Sequence, residues 1–280
     1  MSTLIPEQRR RVLEEILHSE GVVITRDVAV KLGVSAITVR RDLAELERAG
    51  VASAVSGGAR LASGRRPPEA RGERAILETE EKWAIAAAAA DLIEDGMAIY
   101  LDAGTTCEAI ARNLRGRSRL TVVTSDFSTA VALMGDPGVR TIHTGGEIDP
   151  ASGSSAGLFA ASTARRINTD LCFLSTGAWD LRRGVSTTSA DKVAVKIAAV
   201  ESAARCVLVA GSSKYGVSER YHVAPLAMLE QVITDDRLGT AARSELEAAK
   251  LEITFARPAG AKGHGVRARA DSGVDEAGSE

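Results

Sequence analysis

From residue 97 onward, short β-rich runs alternate with helical stretches, and this alternation limits the possible folds more than any other feature. The runs are Met97 to Asp102, Leu120 to Thr124, Val139 to Thr144, Asp170 to Ser175, Arg205 to Ala210 and Gln231 to Thr234. Strands separated by helices pair in parallel, so an open, mostly parallel α/β sheet is expected over residues 75–256. An Ala-rich helix from Glu80 to Glu94 leads into it. Polar or glycine loops follow the runs: Ala103-Gly104-Thr105-Thr106, Thr124-Ser125-Asp126, Thr144-Gly145-Gly146, Thr176-Gly177-Ala178 and Gly211-Ser212-Ser213-Lys214. Because ligands of open parallel sheets bind outside the carboxyl ends of the strands, these loops are expected to meet around one crevice. At Gly104-Thr105-Thr106 a strand passes into a helix, where free N–H groups and the positive helix end converge on an anion such as phosphate.

The first 62 residues follow a different period. Val12, Leu13, Ile16 and Leu17 recur at helical spacing between Pro6 and Ser19, so one face is apolar and the arginines point elsewhere. After Val22-Val23-Ile24, Thr25 is a candidate N-cap for a helix carrying Val28, Ala29 and Leu32, which Gly33 ends. Ser35 is the expected cap of a third helix, Ala36 to Ala49, with Val39, Leu43 and Leu46 inward. Val51 to Ser56 and Ala59 to Leu61 flank Gly57-Gly58 as a two-stranded wing. Helix, tight turn and crossing helix form the geometry that lays the last helix in the DNA major groove. The candidate DNA contacts are Ser35, Thr38, Arg40 and Arg41 in its first turns, with Thr25 at the start of the preceding helix, hydroxyls and guanidiniums suited to phosphates and base edges. The formal charge of −2 divides into +3 for residues 1–66 and −5 for the remainder, which places the basic end at the reading helix.

Between the two bodies, Ser63-Gly64-Arg65-Arg66-Pro67-Pro68 has linker composition, and the linker is expected over residues 63–74. Residues 257–280, with almost no large apolar side chains, are expected to be a disordered tail. The longest apolar run, Trp83 to Ile93, is too short to span a membrane. Pro6 and Arg9-Arg10-Arg11 stand where an export signal would need an apolar segment, so a cytoplasmic protein with no membrane partner is expected. Cys107, Cys172 and Cys206 lack disulfide or metal spacing, and neither a metal nor a cofactor is expected.

Gly33-Val34-Ser35, Thr38-Val39-Arg40-Arg41-Asp42-Leu43, Leu46 and Gly57-Gly58-Ala59 together resemble the DNA-binding domain of DeoR-type bacterial transcription regulators. The wing departs from that pattern, with Ala54-Val55-Ser56 where the family usually carries Arg and His. From about Glu73 to Asp236 the chain resembles the sensor domain of the same family, similar in fold to ribose-5-phosphate isomerases. The matching segments are Asp102-Ala103-Gly104-Thr105-Thr106, Gly145-Gly146, Gly157, Asp170 with Phe173, Gly184, Lys192 to Lys196 and Ser213-Lys214-Tyr215-Gly216. The resemblance implies an effector site in which Asp102, Gly104, Thr105, Thr106 and Lys214 hold a sugar phosphate and Thr124, Ser125, Gly145 and Gly146 line the pocket. Ser125 and Cys107 depart from the residues usual there. It also implies operator DNA and a small phosphorylated sugar as partners, regulation of carbohydrate genes, and repression as the family's habit. Symmetric half-sites call for a homo-oligomer, a dimer or tetramer.

An enzyme is the competing class. Asp102, Asp180, Asp191 and Lys214 are its available acid-base groups, but no nucleophile triad, metal cluster or dinucleotide fingerprint accompanies them. His18, His143, His222 and His264 are scattered. No catalytic residue is assigned.

Overall fold

The computed structural model describes residues 4–20, 22–49, 51–55, 57–61 and 71–258. The first body begins with α1 (Pro6–Glu20), β1 (Val22–Ile24), α2 (Thr25–Leu32) and α3 (Ala36–Arg48), and ends with β2 (Ala52–Val55) and β3 (Gly58–Leu61). Leu13, Ile16 and Leu17 of α1, Val28 and Ala29 of α2, and Val39, Leu43 and Leu46 of α3 are buried together. Each fully buried Leu, Ile or Val stabilises the cluster by roughly 1.5–3 kcal/mol. One polar contact runs through it: Arg9 Nε donates to Asp42 Oδ2 at 2.8 Å, Arg9 Nη2 donates to Asp42 Oδ1 at 3.3 Å, and both side chains are buried. A forked guanidinium–carboxylate pair fixes direction as well as distance, so it locks the orientation of α3 on α1.

Gly33 ends α2 in the left-handed conformation, φ 65°, with its N–H returned to Ala29 and Val30. The Ser35 hydroxyl caps α3 by accepting from the Thr38 N–H at 3.1 Å. Two expectations need correction here. Thr25 is not a cap: it is the first residue of α2, buried, and its N–H donates to the Gly57 carbonyl at 3.0 Å. The wing has three strands, in the order β1-β3-β2, because Val22–Ile24 pairs with Gly58–Arg60. That pairing explains Gly58, where a Cβ would stand 1.9 Å from the Val23 carbonyl oxygen.

The second body opens with α4 (Arg71–Ile76) and α5 (Thr79–Ala90), followed by β4 (Ala98–Leu101), α6 (Thr105–Arg112), β5 (Leu120–Thr124), α7 (Phe127–Leu133) and β6 (Val139–His143). A hairpin, β7 (Glu147–Asp149) and β8 (Ser154–Ala156), leads to α8 (Gly157–Arg165) and β9 (Thr169–Ser175). Next come β10 (Ala178–Asp180), β11 (Gly184–Thr187), α9 (Ala190–Glu201), β12 (Ala203–Val209) and β13 (Tyr221–Ala224), then β14 (Gln231–Asp235), α10 (Thr240–Ala248) and β15 (Glu252–Ala256). Seven strands form one sheet in the order β15-β14-β12-β9-β4-β5-β6, and every pair in it is parallel. Helices α5 and α6 lie over one apolar layer and α8 and α9 over the other, so both faces are covered as an all-parallel sheet requires.

The chain runs β4, β5, β6 toward one edge, then returns to the centre and runs β9, β12, β14, β15 toward the other. Its direction therefore reverses between β4 and β9, and the reversal opens a gap beyond their carboxyl ends. At the boundaries, α5 stops at Ala90 instead of Glu94, and residues 71–74, expected as linker, begin α4. Ala256 is buried at the end of β15. The remainder of the expected tail from residue 259, like residues 62–70 of the expected linker, lies outside the described residues.

Candidate functional site

Helix α3 presents Ile37, Arg40, Arg41, Ala44 and Arg48 outward, a stripe at helical spacing opposite buried Val39, Asp42, Leu43 and Leu46. Ser35 and Thr38 share a hydroxyl contact of 2.9 Å at the start of that stripe. Ser35, Thr38, Arg40 and Arg41 are therefore grouped on one surface, whereas Thr25 is buried. Ile37, 75% exposed, was not singled out in the sequence; an apolar side chain beside the arginines is suited to a thymine methyl group.

Beyond the carboxyl ends of β4, β9, β12 and β14 lies a cavity of about 1170 Å³. Ala103, Ser175, Thr176, Ser212, Ser213 and Lys214 line it on the sheet side, joined by Lys192 and Lys196 of α9. Glu7, Arg10, Arg11, Glu14 and Glu15 line the opposite side. These five residues share one face of α1, while Arg9, Leu13 and Leu17 form the face packed in the winged-helix core. Lys31 of α2, Leu46 of α3 and Val51 line it as well, so the cavity borders the DNA-reading unit itself.

The cavity floor is held by charge pairs. Lys196 Nζ donates to the Asp102 carboxylate and to the Ser175 carbonyl, the latter at 2.7 Å. Asp102 also accepts from the Ser175 N–H at 3.0 Å, so the ends of β4 and β9 are tied across the gap. Gly104 belongs to this tie, because a Cβ there would stand 2.7 Å from the Ser175 hydroxyl. Lys192 pairs with Asp149 at 2.7 Å. Burial acts to raise the Asp149 carboxyl, but hydrogen bonds from Lys192 and Ser152 outweigh it and hold the group below its ordinary value. Asp235 accepts from the Ser212 N–H at 2.7 Å and the Ser212 hydroxyl at 2.6 Å, fixing the tight turn that carries Lys214. Underneath, Trp179 meets Tyr215 edge-on at 4.8 Å and donates to the Gly211 carbonyl at 3.3 Å. Burial pushes the Glu219 carboxyl up, and its Oε2 is buried without a hydrogen-bond partner. Ammonium groups, hydroxyls and an unsatisfied acceptor lining one space suit a small anionic, hydroxylated molecule.

The expected effector residues divide. Lys214 lines the cavity and Asp102 is buried at its floor. Thr105 is half-buried and Thr106 buried at the start of α6, and the Gly104 N–H donates to Asp126 at 3.1 Å, so the anion met there is the chain's own carboxylate. Arg71 pairs with the same carboxylate and with Glu108, each at 2.7 Å. Thr124 accepts from the Asp126 N–H, and Ser125 is buried with its carbonyl bonded to Ser155. Gly145 and Gly146 are not brought to the cavity. They turn the chain out of β6, an edge strand two places from the reversal, and Gly146 borders a separate hollow with Phe159. Lys196, Lys192, Ser175 and Asp235 were not expected as site residues, and Ser212 only as part of the loop that carries Lys214. Their positions depend on which strands adjoin, which no local spacing encodes.

Of the enzyme candidates, Asp102 is held by Lys196, Asp180 caps a turn through the Arg182 and Arg183 N–H groups, and Asp191 is exposed in the first turn of α9. A winged reading helix joined to a ligand-sized cavity at a strand-order reversal defines a DNA-binding regulator. Residues 9–65 match the DeoR-like helix-turn-helix domain and residues 77–236 match the DeoR C-terminal sensor domain. The chain belongs to the DeoR family of transcription regulators. It is 37% identical to the HTH-type transcriptional regulator YgbI of Escherichia coli over 254 residues, 91% of this chain and 99% of that one. An HTH-type transcriptional regulator of Haemophilus influenzae is 36% identical, with 89% and 97% covered. The HTH-type transcriptional repressor CsqR of Escherichia coli is 29% identical, with 90% and 97% covered. Among solved structures, a ribose 5-phosphate isomerase of Methanocaldococcus jannaschii overlaps 48% of this chain and 53% of its own at a TM-score of 0.35 and 18% identity, too loose a likeness to carry an argument. No helix among the described residues is long and apolar enough to cross a membrane.

Proposed function

We propose that the protein represses carbohydrate genes by reading operator DNA with α3, and that it releases them when a phosphorylated sugar enters the cavity. The observation that carries this reading is the shared wall: the cavity touches Lys192, Lys196 and Lys214 on one side and the outer face of α1 on the other. Lysine is a compact point charge suited to phosphate, and the hydroxyls of Thr176, Ser212 and Ser213 suit sugar hydroxyls. A ligand that fits the cavity better in one setting of α1 shifts the population toward that setting. The bidentate Arg9–Asp42 pair carries α3 along with α1. Arg40 and Arg41 read base edges, Ser35 and Thr38 meet the backbone, and two copies engage symmetric half-sites.

The test is a thermal-shift screen of pentose, hexose and polyol phosphates, followed by operator binding with and without each hit. A hit should raise the melting temperature and lower operator affinity in the parent. Lys214→Ala should keep operator affinity but lose the response. If no sugar phosphate shifts the melt, or if Lys214→Ala responds as the parent does, the effector assignment is wrong.

A further inference from the structure

An apolar strip surrounds the open edge of the seven-stranded sheet. β6 is hydrogen-bonded to β5 on one side and ends the described sheet on the other. On one flank α7 and the turn after it expose Phe127, Val131 and Met134, spaced four and three residues apart and so on one side of the helix. On the other flank Leu158 and Phe159, both at least 75% exposed, open α8, and Ile148 stands on the hairpin strand that leaves β6. The strip is continuous: the Phe127 ring lies 4.3 Å from the His143 ring at the end of β6, and Thr144 and Gly146 share a hollow with Phe159.

We infer that this strip is where two copies of the chain join, edge strand to edge strand. The six apolar side chains present roughly 600–800 Å² per copy, taking about 150–200 Å² for a fully exposed large apolar residue. A stable interface buries about 800 Å² on each partner, whereas a monomer rarely exposes a patch beyond a few hundred Å². A two-fold axis perpendicular to the sheet reverses strand direction, so the two β6 strands meet antiparallel and their outward N–H and C=O groups face each other. An apolar strip flanking an unpaired strand edge matches its own two-fold copy. The paired arrangement would also supply the second reading helix that a symmetric half-site needs. Val131 and Phe159 do not line the cavity, so failure of this inference and failure of the effector reading can be told apart.

Sedimentation of the full chain at micromolar concentration tests it. The parent should run as a dimer or a multiple of dimers, and Val131→Glu and Phe159→Glu, each on an exposed position, should halve that mass while melting as the parent does. Trp83→Glu, on an exposed position of α5 away from β6, should leave the mass unchanged. If either glutamate variant fails to fold, Phe159→Ser, which adds no charge, should weaken assembly at least tenfold. A monomeric parent, or a folded variant on the strip that keeps the parent's mass, overturns the inference; a monomeric parent would leave the strip to a different occupant.

Discussion

Removing the ammonium group of Lys196 tests whether the tie between β4 and β9 holds the cavity floor together. Lys196 and Asp102 are 7% and 2% exposed at their side chains, and the Asp102 oxygen that meets Lys196 also accepts from the Ser175 N–H. In Lys196→Met that carboxylate would stay buried with its cationic partner gone. Breaking a buried pair this way costs about 3–5 kcal/mol, because the surviving charge is left without compensation. For a domain of roughly 150–250 residues each kcal/mol moves the midpoint by about 2–4 °C, so the sensor transition should fall by roughly 10 °C. Adding Asp102→Asn removes the orphaned charge and keeps an acceptor for Ser175, so the double variant should regain more than half of the loss. Differential scanning calorimetry of the two single variants, the double and the parent closes the cycle. A Lys196→Met midpoint within about 2 °C of the parent would refute the reasoning, as would a double variant less stable than Lys196→Met.

Arg40→Ala and Arg41→Ala should each weaken operator binding by about 1–3 kcal/mol if the residue reads a base; fluorescence anisotropy showing parental affinity for both would remove α3 as the reader. Asp42→Ala should abolish operator binding by leaving the Arg9 guanidinium buried without its partner. The sensor-domain melt should be unchanged in that variant, and calorimetry separates the two transitions. Because burial raises the Glu219 carboxyl, the folded chain keeps that proton where the unfolded chain has released it. Its contribution therefore favours folding in acid and is lost as pH rises through the folded value. Glu219→Gln should melt higher than the parent at neutral pH and level with it in mild acid, and a difference independent of pH would count against this.

Much of the fold is written in local pattern. The cap at Ser35 and the stop at Gly33 are decided by neighbours within four residues, and both are where the sequence places them. Six of the seven strands of the large sheet are similarly plain, each a short β-rich run, while β15 (Glu252–Ala256) was not singled out. Thr25 was misread because a threonine before a helical pattern looks like a cap; the pairing of Ile24 with Gly58, far along the chain, moves the helix start. The cavity shows the same limit more sharply. Gly145-Gly146 and Gly104-Thr105 look alike as loops after strands, yet the strand order puts one beside the reversal and the other at an edge. Lys196 lies 94 residues from Asp102, and the packing of α9 over the sheet brings it to the end of β4.

The two faces of α1 have a consequence for how such a regulator can change. Its outward row of Glu7, Arg10, Arg11, Glu14 and Glu15 borders the cavity, while its inward row is committed to the bundle that carries α3. Substitutions in the outward row can therefore reshape the cavity wall without touching the inward face that holds the bundle together.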